Sequence, residues 1–367
     1  MRLHLVALPH TQTTRDYLSC AYTQKIVKAG KMFTDAGHEV ILYSGDENDA
    51  PCAEHVALFT EKERSADWGA GFDTVSSPLR WDSSLPYWSR MNERAKNAID
   101  ARAQTGDYLL LIAGWAQKPI ADGLSIVQQR QVLPLEWGVG YEGIFSEFCA
   151  FESYAWMHHV YGRQQWATGR FYDAVIPNFF DPDDFHLAPK SDYLLFVGRL
   201  VQRKGPHVAA QIADRLGMRL LVAGPGCAKH EAGRITTVDG MEIVGPVEYV
   251  GEVDSTERAE LMAAARALIA PTLYIEPFGG VTIEAMLSGT PVVATDFGAF
   301  TETVTPQVGR RFRTLAQGVT ETEEVLGLDP GMIRAHALER YSLAAVGRCY
   351  DAWFAQLNGL WGPGWDA

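Results

Sequence analysis

A strand that turns into a helix through a glycine pair is the feature of this chain that most limits its fold. The apolar run at 267–270 predicts a buried strand, and residues 281–287 have the spacing of a helix. The segment between them reads EPFGGVTIE from Glu276 to Glu284, with two carboxylates eight positions apart. The glycines therefore stand where unpaired backbone N–H groups and the helix dipole favour an anion.

The two carboxylates indicate what kind of anion this site would bind. Glu276 and Glu284 repel a phosphate, so they are better suited to accepting hydrogen bonds from hydroxyl groups. A phosphate with hydroxyls on both sides describes a sugar nucleotide. The alternative is a purely structural turn, because Gly-Gly pairs end many strands and Glu is a good capping residue in the first turn of a helix. On this segment alone the two interpretations have equal weight.

Strand and helix patterns recur along the chain and predict an α/β protein with parallel sheets. A first series has strands at 3–8, 38–43 and 109–112, with a long helix ending at about Ala36 between the first two. Residues 45–105 predict loops and a helix near 88–102. The second series has predicted strands at 193–198, 220–224, 248–251, 267–270 and 291–295.

The boundary between the two series predicts two domains. Residues 177–185 are rich in Pro and Asp, a composition typical of a linker. We therefore predict two Rossmann-like doubly wound domains facing each other across a cleft, over residues 1–178 and 179–342. Residues 343–361 carry apolar side chains at helical spacing. We expect this C-terminal helix, within 343–367, to pack back on the first domain rather than to enter a membrane, because it lacks Lys.

Charge and cysteine content argue against several classes of protein. The chain has 367 residues, a net charge of −13 and no run of Lys or Arg, which disfavours stable nucleic-acid binding. Its five cysteines are scattered without a Cys-x-x-Cys pair, a pattern of neither a zinc site nor a disulfide framework. The N-terminus is too short for a signal peptide and no stretch approaches 18 apolar residues, so we expect a cytoplasmic protein without a transmembrane segment.

Two cations strengthen the anion site. Arg199 and Lys204 come just after the predicted strand at 193–198, and Lys204 leads into a helix predicted at 208–216. A guanidinium and an ammonium group at this point neutralise a pyrophosphate leaving group, which gains negative charge in the transition state. Either residue alone would most simply be a solvated loop cation. Together with the glutamates at the end of another strand of the same sheet, they favour a functional site.

The second half of the chain resembles the retaining glycosyltransferases of family 4 (glycosyl transferases group 1), which have the GT-B fold. The resemblance covers about residues 175–310 and keeps the motifs in the family's order and spacing. These motifs are GRLVQRKG at 198–205, AGPG at 223–226, VGEV at 250–253, EPFGGVTIEA at 276–285 and GTPVVA at 289–294.

The resemblance implies a role for each of these segments. Arg199 and Lys204 would hold the donor diphosphate, Glu276 the hydroxyls of the transferred sugar, and Glu284 those of the ribose. The donor-binding residues that it implies are Gly198, Gly226, Val250, Phe278, Gly279, Gly280, Val281 and Glu284. It also implies that neither a metal ion nor a cofactor is needed, because the Arg/Lys pair and the helix N-terminus supply the positive charge.

The first half departs from the family pattern, so acceptor-side residues rest on weaker arguments. The first loop contains His10 and Thr11, which we expect to approach phosphate or acceptor. After a predicted strand, the sequence at 135–143 supplies Glu136, Trp137 and Tyr141, and such aromatics and carboxylates suit a sugar. Glu136 would polarise the acceptor hydroxyl as a base, with a structural role as the equal alternative.

These observations lead to a predicted activity and its alternatives. We expect a metal-independent, retaining hexosyl- or pentosyltransferase that uses a nucleoside-diphosphate sugar. A sugar-nucleotide epimerase or hydrolase, a non-catalytic sugar-nucleotide sensor, and a glycosyltransferase acting on a modified DNA base are the alternatives. The motifs leave the nucleobase, the sugar, the acceptor and the oligomeric state open.

Overall fold

The chain forms two compact units in the structure, a computed structural model that describes residues 1–17, 20–68 and 82–359. The first unit comprises the described parts of Met1–Glu152, Met157–Phe179 and Leu343–Ala367. The second unit comprises Ser153–Trp156 and Phe180–Ser342. Apart from Ser153–Trp156, the chain passes from the first unit to the second after Phe179, inside the Pro/Asp-rich segment, and it returns after Ser342.

The first unit is built on a parallel sheet that has seven strands in the described residues. Its strands are β1 (Arg2–Val6), β2 (Glu39–Gly45), β3 (Glu54–Phe59), β4 (Tyr108–Leu111), β5 (Leu133–Val139), β6 (Phe148–Phe151) and β7 (Ala174–Val175). They are arranged in the order β3-β2-β1-β4-β5-β6-β7. The strand order therefore reverses between β1 and β4, the place where ligands bind in open α/β sheets.

Helices cover both faces of this sheet. They are α1 (Ala21–Asp35), α2 (Glu61–Trp68), α3 (Pro86–Asp100), α4 (Lys118–Asp122), α5 (Ser125–Gln128), α6 (Tyr154–Arg163) and the C-terminal α13 (Leu343–Asn358), with a 3₁₀ turn at Gly114–Ala116. Helix α13 packs against α1, with the ring of Tyr350 centred 5.3 Å from that of Phe33. Its apolar side chains lie in the same core as those of β1, β4 and β5. Trp361, the last residue of the predicted helical pattern, lies outside the described residues.

The second unit repeats this architecture. Its parallel sheet consists, in the described residues, of β8 (Tyr193–Val197), β9 (Arg219–Ala223), β13 (Val247–Gly251), β14 (Ala267–Ala270), β15 (Val292–Thr295) and β16 (Gly309–Phe312). The order is β13-β9-β8-β14-β15-β16, so the reversal falls between β8 and β14. A separate antiparallel sheet of β10 (Cys227–Glu231), β11 (Arg234–Thr237) and β12 (Glu242–Val244) connects β9 to β13.

The helices of the second unit also lie on both faces of its sheet. They are α7 (Pro206–Leu216), α8 (Ser255–Ala264), α9 (Gly280–Leu287), α10 (Phe300–Thr303), α11 (Leu315–Val325) and α12 (Pro330–Tyr341), with 3₁₀ turns at Pro182–Asp184 and Gln202–Lys204. Helices α9 and α12 bury apolar side chains in one core, and α7 and α11 in another. The α/β class with parallel sheets predicted from the sequence is confirmed. Within 45–105, however, the structure has β3 and α2, where the sequence predicted loops and a single helix near 88–102.

The antiparallel sheet β10–β12 was not predicted. Four of the five residues of β10 are exposed, so this strand lacks the apolar alternation by which a strand is recognised. In the part of the chain that the structure describes, no helix is both long and apolar enough to cross a lipid bilayer.

Candidate functional site

The strongest candidate site of the second unit lies at the carboxyl edge of its sheet, where two loops follow β8 and β14. The first loop runs through the 3₁₀ turn Gln202–Lys204, and the second runs from Pro271 to Gly279 at the start of α9. These strands are the neighbours between which the strand order reverses. The topology therefore gives both loops access to one ligand.

A glycine lets the two loops pack directly on each other. Gly205 has a φ of +72°, and a Cβ atom placed on it would lie 2.1 Å from the carbonyl oxygen of Pro271. Beside this contact, the backbone N–H of Leu273 donates to the carbonyl oxygen of Arg203 at 2.7 Å. Any side chain at 205 would push the loops apart, so Gly205 is required for this arrangement.

The packed loops bring Lys204 and Glu276 into contact. The Lys204 ammonium nitrogen donates to Oε2 of Glu276 at 2.7 Å, and the hydroxyl of Tyr274 donates to the same oxygen at 2.7 Å. Glu276 is 9% exposed. Burial, followed by the adjacent Glu276 carboxylate, raises the pKa of Tyr274, so this hydroxyl keeps its proton near neutral pH. Lys204 and Glu276, both predicted site residues, are thus in contact, and Tyr274, which the sequence did not indicate, binds the same carboxylate oxygen.

The same edge presents positive charge to solvent. Arg199 is exposed, and within the described residues it forms no ion pair. Helix α9 begins after Gly279, whose φ is +78°, and in the described part of the chain no side chain caps its N-terminus. Backbone N–H groups at a helix N-terminus attract an anion, and so does an exposed guanidinium group. Gly279 and Gly280 lie at the start of α9, and their role in binding phosphate stays a prediction.

The carboxylate of Glu284, which is expected to bind the ribose hydroxyls, is paired with a cation in the structure. It projects from α9 and forms an ion pair with Arg258 of α8, with 3.1 Å between Nε of Arg258 and Oε2 of Glu284. Both side chains are largely buried, with 26% of the Arg258 side chain and 17% of the Glu284 side chain exposed. A hydroxyl ligand of Glu284 would approach a carboxylate whose charge is already balanced. Arg258 lies 26 positions earlier in the chain, and no sequence pattern linked it to Glu284.

The other predicted donor-side residues follow the same edge. Gly198 and Gly226 come after β8 and β9, and Val250 lies near the end of β13, the neighbour of β9. Val281 is half-buried in the first turn of α9. Phe278 is 3% exposed and its ring packs against Phe180, so only its backbone is available to a ligand.

In the first unit, Glu136 is fully buried within β5 and holds a loop. Its Oε2 accepts hydrogen bonds from the backbone N–H groups of Phe145 at 2.6 Å and Ser146 at 2.7 Å. Its Oε1 accepts from the hydroxyl of Tyr141 at 3.1 Å. Burial raises the pKa of Glu136 to about 7, although these hydrogen bonds act to lower it. With no exposed surface and three such donors, Glu136 fits the structural alternative better than the role of an acceptor base.

The prediction that Trp137 faces an acceptor does not agree with the structure. Alternate residues of β5 point to opposite faces of the sheet, and Trp137 points into the core that includes α1 and α13. Its ring lies 6.3 Å from that of Phe179 and is fully buried. Trp115 is instead the tryptophan exposed at this edge, where 59% of it is accessible after β4. Its position directly after a predicted strand is the signal that sequence reasoning passed over.

His10 and Thr11 are also buried rather than open to a ligand. The imidazole of His10 lies 3.5 Å from the sulfur of Cys20 and edge-on to Trp68. Burial lowers the pKa of His10 to about 3, so the ring is neutral at physiological pH and offers no charge to a phosphate. Thr11 shares a 2.6 Å hydrogen bond with the hydroxyl of Thr23. Both predicted contacts are therefore wrong for this structure, because both side chains are about 1% exposed.

Comparison with known families finds a match within the second unit. The model of the family described as glycosyl transferases group 1 matches residues 191–321. This segment is similar to that family over less than half of the chain. It contains both loops of the site, from Gly198 to Glu284.

Curated relatives match only part of the chain. Glycogen synthase of Mycobacterium tuberculosis is 36% identical over 116 residues, which cover 30% of this chain and 27% of the relative. Phosphatidyl-myo-inositol mannosyltransferase of the same species is 33% identical over 183 residues, covering 45% of this chain and 43% of the relative. The chain thus matches less than half the length of either relative.

Solved structures resemble the chain over nearly its whole length. AviGT4, a glycosyltransferase involved in avilamycin A biosynthesis, has a TM-score of 0.66 at 21% identity, covering 97% of both chains. Alr3699/HepE of Anabaena, in complex with UDP-glucose, has a TM-score of 0.61 at 14% identity, covering 97% of this chain and 99% of that one. At this identity the likeness shows the fold alone, and the predicted GT-B fold class is confirmed.

Proposed function

We propose that this protein is a retaining glycosyltransferase that moves a sugar from a nucleoside-diphosphate sugar to an acceptor hydroxyl without a metal ion. The observation that carries the proposal is the carboxyl edge of the second sheet. There an exposed Arg199 and the Lys204–Glu276 pair lie on loops beside the uncapped N-terminus of α9. Positive charge, free N–H groups and a hydroxyl-binding carboxylate on adjacent loops match the parts of such a donor.

The cations would bind and activate the diphosphate. As the bond between the sugar carbon and the phosphate oxygen breaks, negative charge develops on the departing diphosphate. Arg199, Lys204 and the N-terminus of α9 stabilise this charge more in the transition state than in the ground state, which is how such groups accelerate a reaction. Because these groups supply positive charge, we propose that the reaction requires no divalent cation.

The acceptor proton has a simple destination in this mechanism. In front-face transfer with retention, the acceptor oxygen bonds to the sugar carbon on the side from which the diphosphate leaves. The departing phosphate oxygen then takes the acceptor's proton, and no separate base is needed. A buried, hydrogen-bonded Glu136 is compatible with this route.

The comparisons support the donor class. The segment that matches the group 1 family spans the site, and relatives of the chain are named as a glycogen synthase and a mannosyltransferase, both sugar-transferring activities. Alr3699/HepE, a structural neighbour, was solved with UDP-glucose. Uridine diphosphate is therefore the first nucleotide to test. All five cysteines are free thiols, which suits the cytoplasm that we propose as the compartment.

The decisive experiment is calorimetric titration of the protein with UDP, GDP, ADP and dTDP in the presence of EDTA. We expect one nucleotide to bind selectively, and Glu284→Ala to weaken it. Glu260→Ala is the matched control, because Glu260 is an exposed glutamate on α8. Absence of binding to all four nucleotides by a folded protein would disprove the proposal.

Turnover then separates a transferase from an epimerase or hydrolase. The nucleotide sugar that corresponds to the bound nucleotide is incubated with a panel of hydroxyl acceptors, again in EDTA. We expect nucleotide release to depend on an acceptor and the product to keep the donor's anomeric configuration by NMR. Release without any acceptor, or an isomerised nucleotide sugar, would favour the alternatives.

A further inference from the structure

Tyr274 connects the cations of the site to its carboxylate. Its hydroxyl donates to Oε2 of Glu276 at 2.7 Å. Its ring centre lies 5.0 Å from the ammonium nitrogen of Lys204 and 5.3 Å from the guanidinium carbon of Arg203. One side chain therefore contacts both of these first-loop cations through its ring and the glutamate of its own loop through its hydroxyl.

The position of Tyr274 is fixed by the packing of the two loops. The neighbouring Leu273 is tied to the backbone of Arg203, and the close contact between Gly205 and Pro271 lies beside it. The phenol is half-buried, and its raised pKa keeps it a donor near neutral pH. Its orientation is therefore set before any ligand arrives, which is the condition for a preorganised site.

A bound diphosphate would change the balance around Glu276. In the free protein the carboxylate has two donors on Oε2, Lys204 and Tyr274. A diphosphate carries more negative charge than a carboxylate, so it draws the Lys204 ammonium group toward itself. Glu276 then loses its ion pair while it remains largely buried, and a buried carboxylate that loses a partner is costly. Tyr274 is the donor that remains.

We propose that Tyr274 is a positioning residue whose hydroxyl holds Glu276 in place for the donor sugar and whose ring keeps Lys204 directed at the diphosphate. This inference rests on the proposed function of the site. The ring and the hydroxyl of Tyr274 would then affect the binding of different ligands. The ring acts on any nucleoside diphosphate, whereas the hydroxyl acts only on a ligand that carries a sugar for Glu276 to bind.

Two variants separate the ring from the hydroxyl. Tyr274→Phe removes the hydroxyl alone, and Tyr274→Leu removes both. The probes are UDP and UDP-glucose, replaced by the matching pair if another nucleotide binds in the first titration. For Tyr274→Phe we expect UDP affinity within about twofold of the wild type, because the cation–π contact remains. We expect UDP-glucose affinity and kcat/KM for the donor to fall about tenfold or more, because a hydrogen bond to a charged group is lost.

Tyr274→Leu should also weaken UDP itself, by about threefold, through loss of the contact with the cations. Tyr193→Phe is the matched control, because Tyr193 at the start of β8 loses a hydroxyl bonded to the backbone oxygen of Leu261 in the same unit. It should leave both affinities unchanged. Thermal melting of each variant verifies that the domain is folded.

Three results would overturn the inference. Equal affinity of Tyr274→Phe and wild type for UDP-glucose would show that the hydroxyl does not support Glu276. An equal loss for UDP and UDP-glucose would show that it acts through the diphosphate site or the fold. Failure of the wild type to bind any nucleotide would instead remove the proposed function on which the inference rests.

Discussion

The carboxyl edges of the two sheets both lie where the strand order reverses, but they differ in how exposed their polar side chains are. In the second unit, Arg199 is exposed and Lys204 is half-buried and paired with Glu276. In the first unit, His10 and Glu136 are buried, and burial shifts the pKa of each toward its neutral form. Residue type at a strand end therefore indicates chemistry only together with exposure. The donor-side predictions include accessible cations as well as the buried Glu276, whereas the acceptor-side residues His10 and Glu136 both lie in the interior.

The largest effect should come from the tryptophan that the sequence assigned to the acceptor side. Trp137→Ala removes a fully buried ring and should lower the free energy of unfolding by about 3–5 kcal/mol. Urea denaturation measures this change. The matched control is Trp115→Ala, which removes an exposed indole and should change stability by less than about 0.5 kcal/mol. A stable Trp137→Ala protein with impaired acceptor turnover would restore the original prediction.

Removal of Arg199, an exposed cation of the proposed site, should affect activity rather than stability. Arg199→Ala should lower kcat/KM for the nucleotide sugar by about 10²–10³-fold, the usual loss for one preorganised group that stabilises developing charge. Its melting temperature should stay close to that of the wild type, because Arg199 is exposed. Arg215→Ala provides the comparison, since Arg215 lies in the last turn of α7, at the end of the helix away from the site. Equal kinetics for Arg199→Ala and Arg215→Ala would contradict the proposed diphosphate site.

The raised pKa of Glu136 should make the free energy of unfolding depend on pH. Its pKa of about 7 in the folded protein lies above that of an exposed glutamate, so the folded state binds more protons than the unfolded state between about pH 4.5 and 7. Stability should therefore fall as the pH rises through this window, by at most about 1.4 kcal/mol per pH unit from this group. Glu136→Gln should flatten that slope in urea denaturation measured from about pH 4.5 to 8.

The same variant tests the catalytic alternative. The glutamine side chain keeps an oxygen for the two backbone donors, so the loop should survive the substitution and turnover should stay within a few-fold of wild type. Loss of a general base would instead lower kcat by about 10²–10⁴-fold. A loss of that size in a folded variant would show that Glu136 acts as a base in the reaction.

The smallest effect concerns His10. Because its pKa is lowered to about 3, the ring carries no charge at neutral pH and should contribute nothing to phosphate binding. His10→Gln should leave the affinity for the nucleoside diphosphate within about twofold of wild type at about pH 6 and pH 8. Calorimetry at both pH values decides the matter, and weaker binding confined to the lower pH would mean that a protonated His10 contacts the ligand.

The sequence predicted the scaffold more completely than the contacts within it. Strands such as Ala267–Ala270 are apolar runs bounded by turns, and periodicity is sufficient to find them. Exposure is not a local property: β5 is buried on both faces, so its residues show no alternation that would place Trp137 inside. Contacts between side chains of different helices and strands cannot be predicted from local sequence patterns either. The ion pair between Glu284 and Arg258 joins two helices, and only the folded chain brings them together.

The return of α13 to the first unit determines the order in which the two units complete themselves during synthesis. The first unit contains the first residues of the chain, yet its core includes Tyr350, Trp353 and Phe354 near the other end. All residues of the second unit are available for folding once Ser342 has emerged from the ribosome. The first unit therefore cannot complete its core until α13 has been made, and the apolar surface that α13 covers stays exposed while the second unit folds.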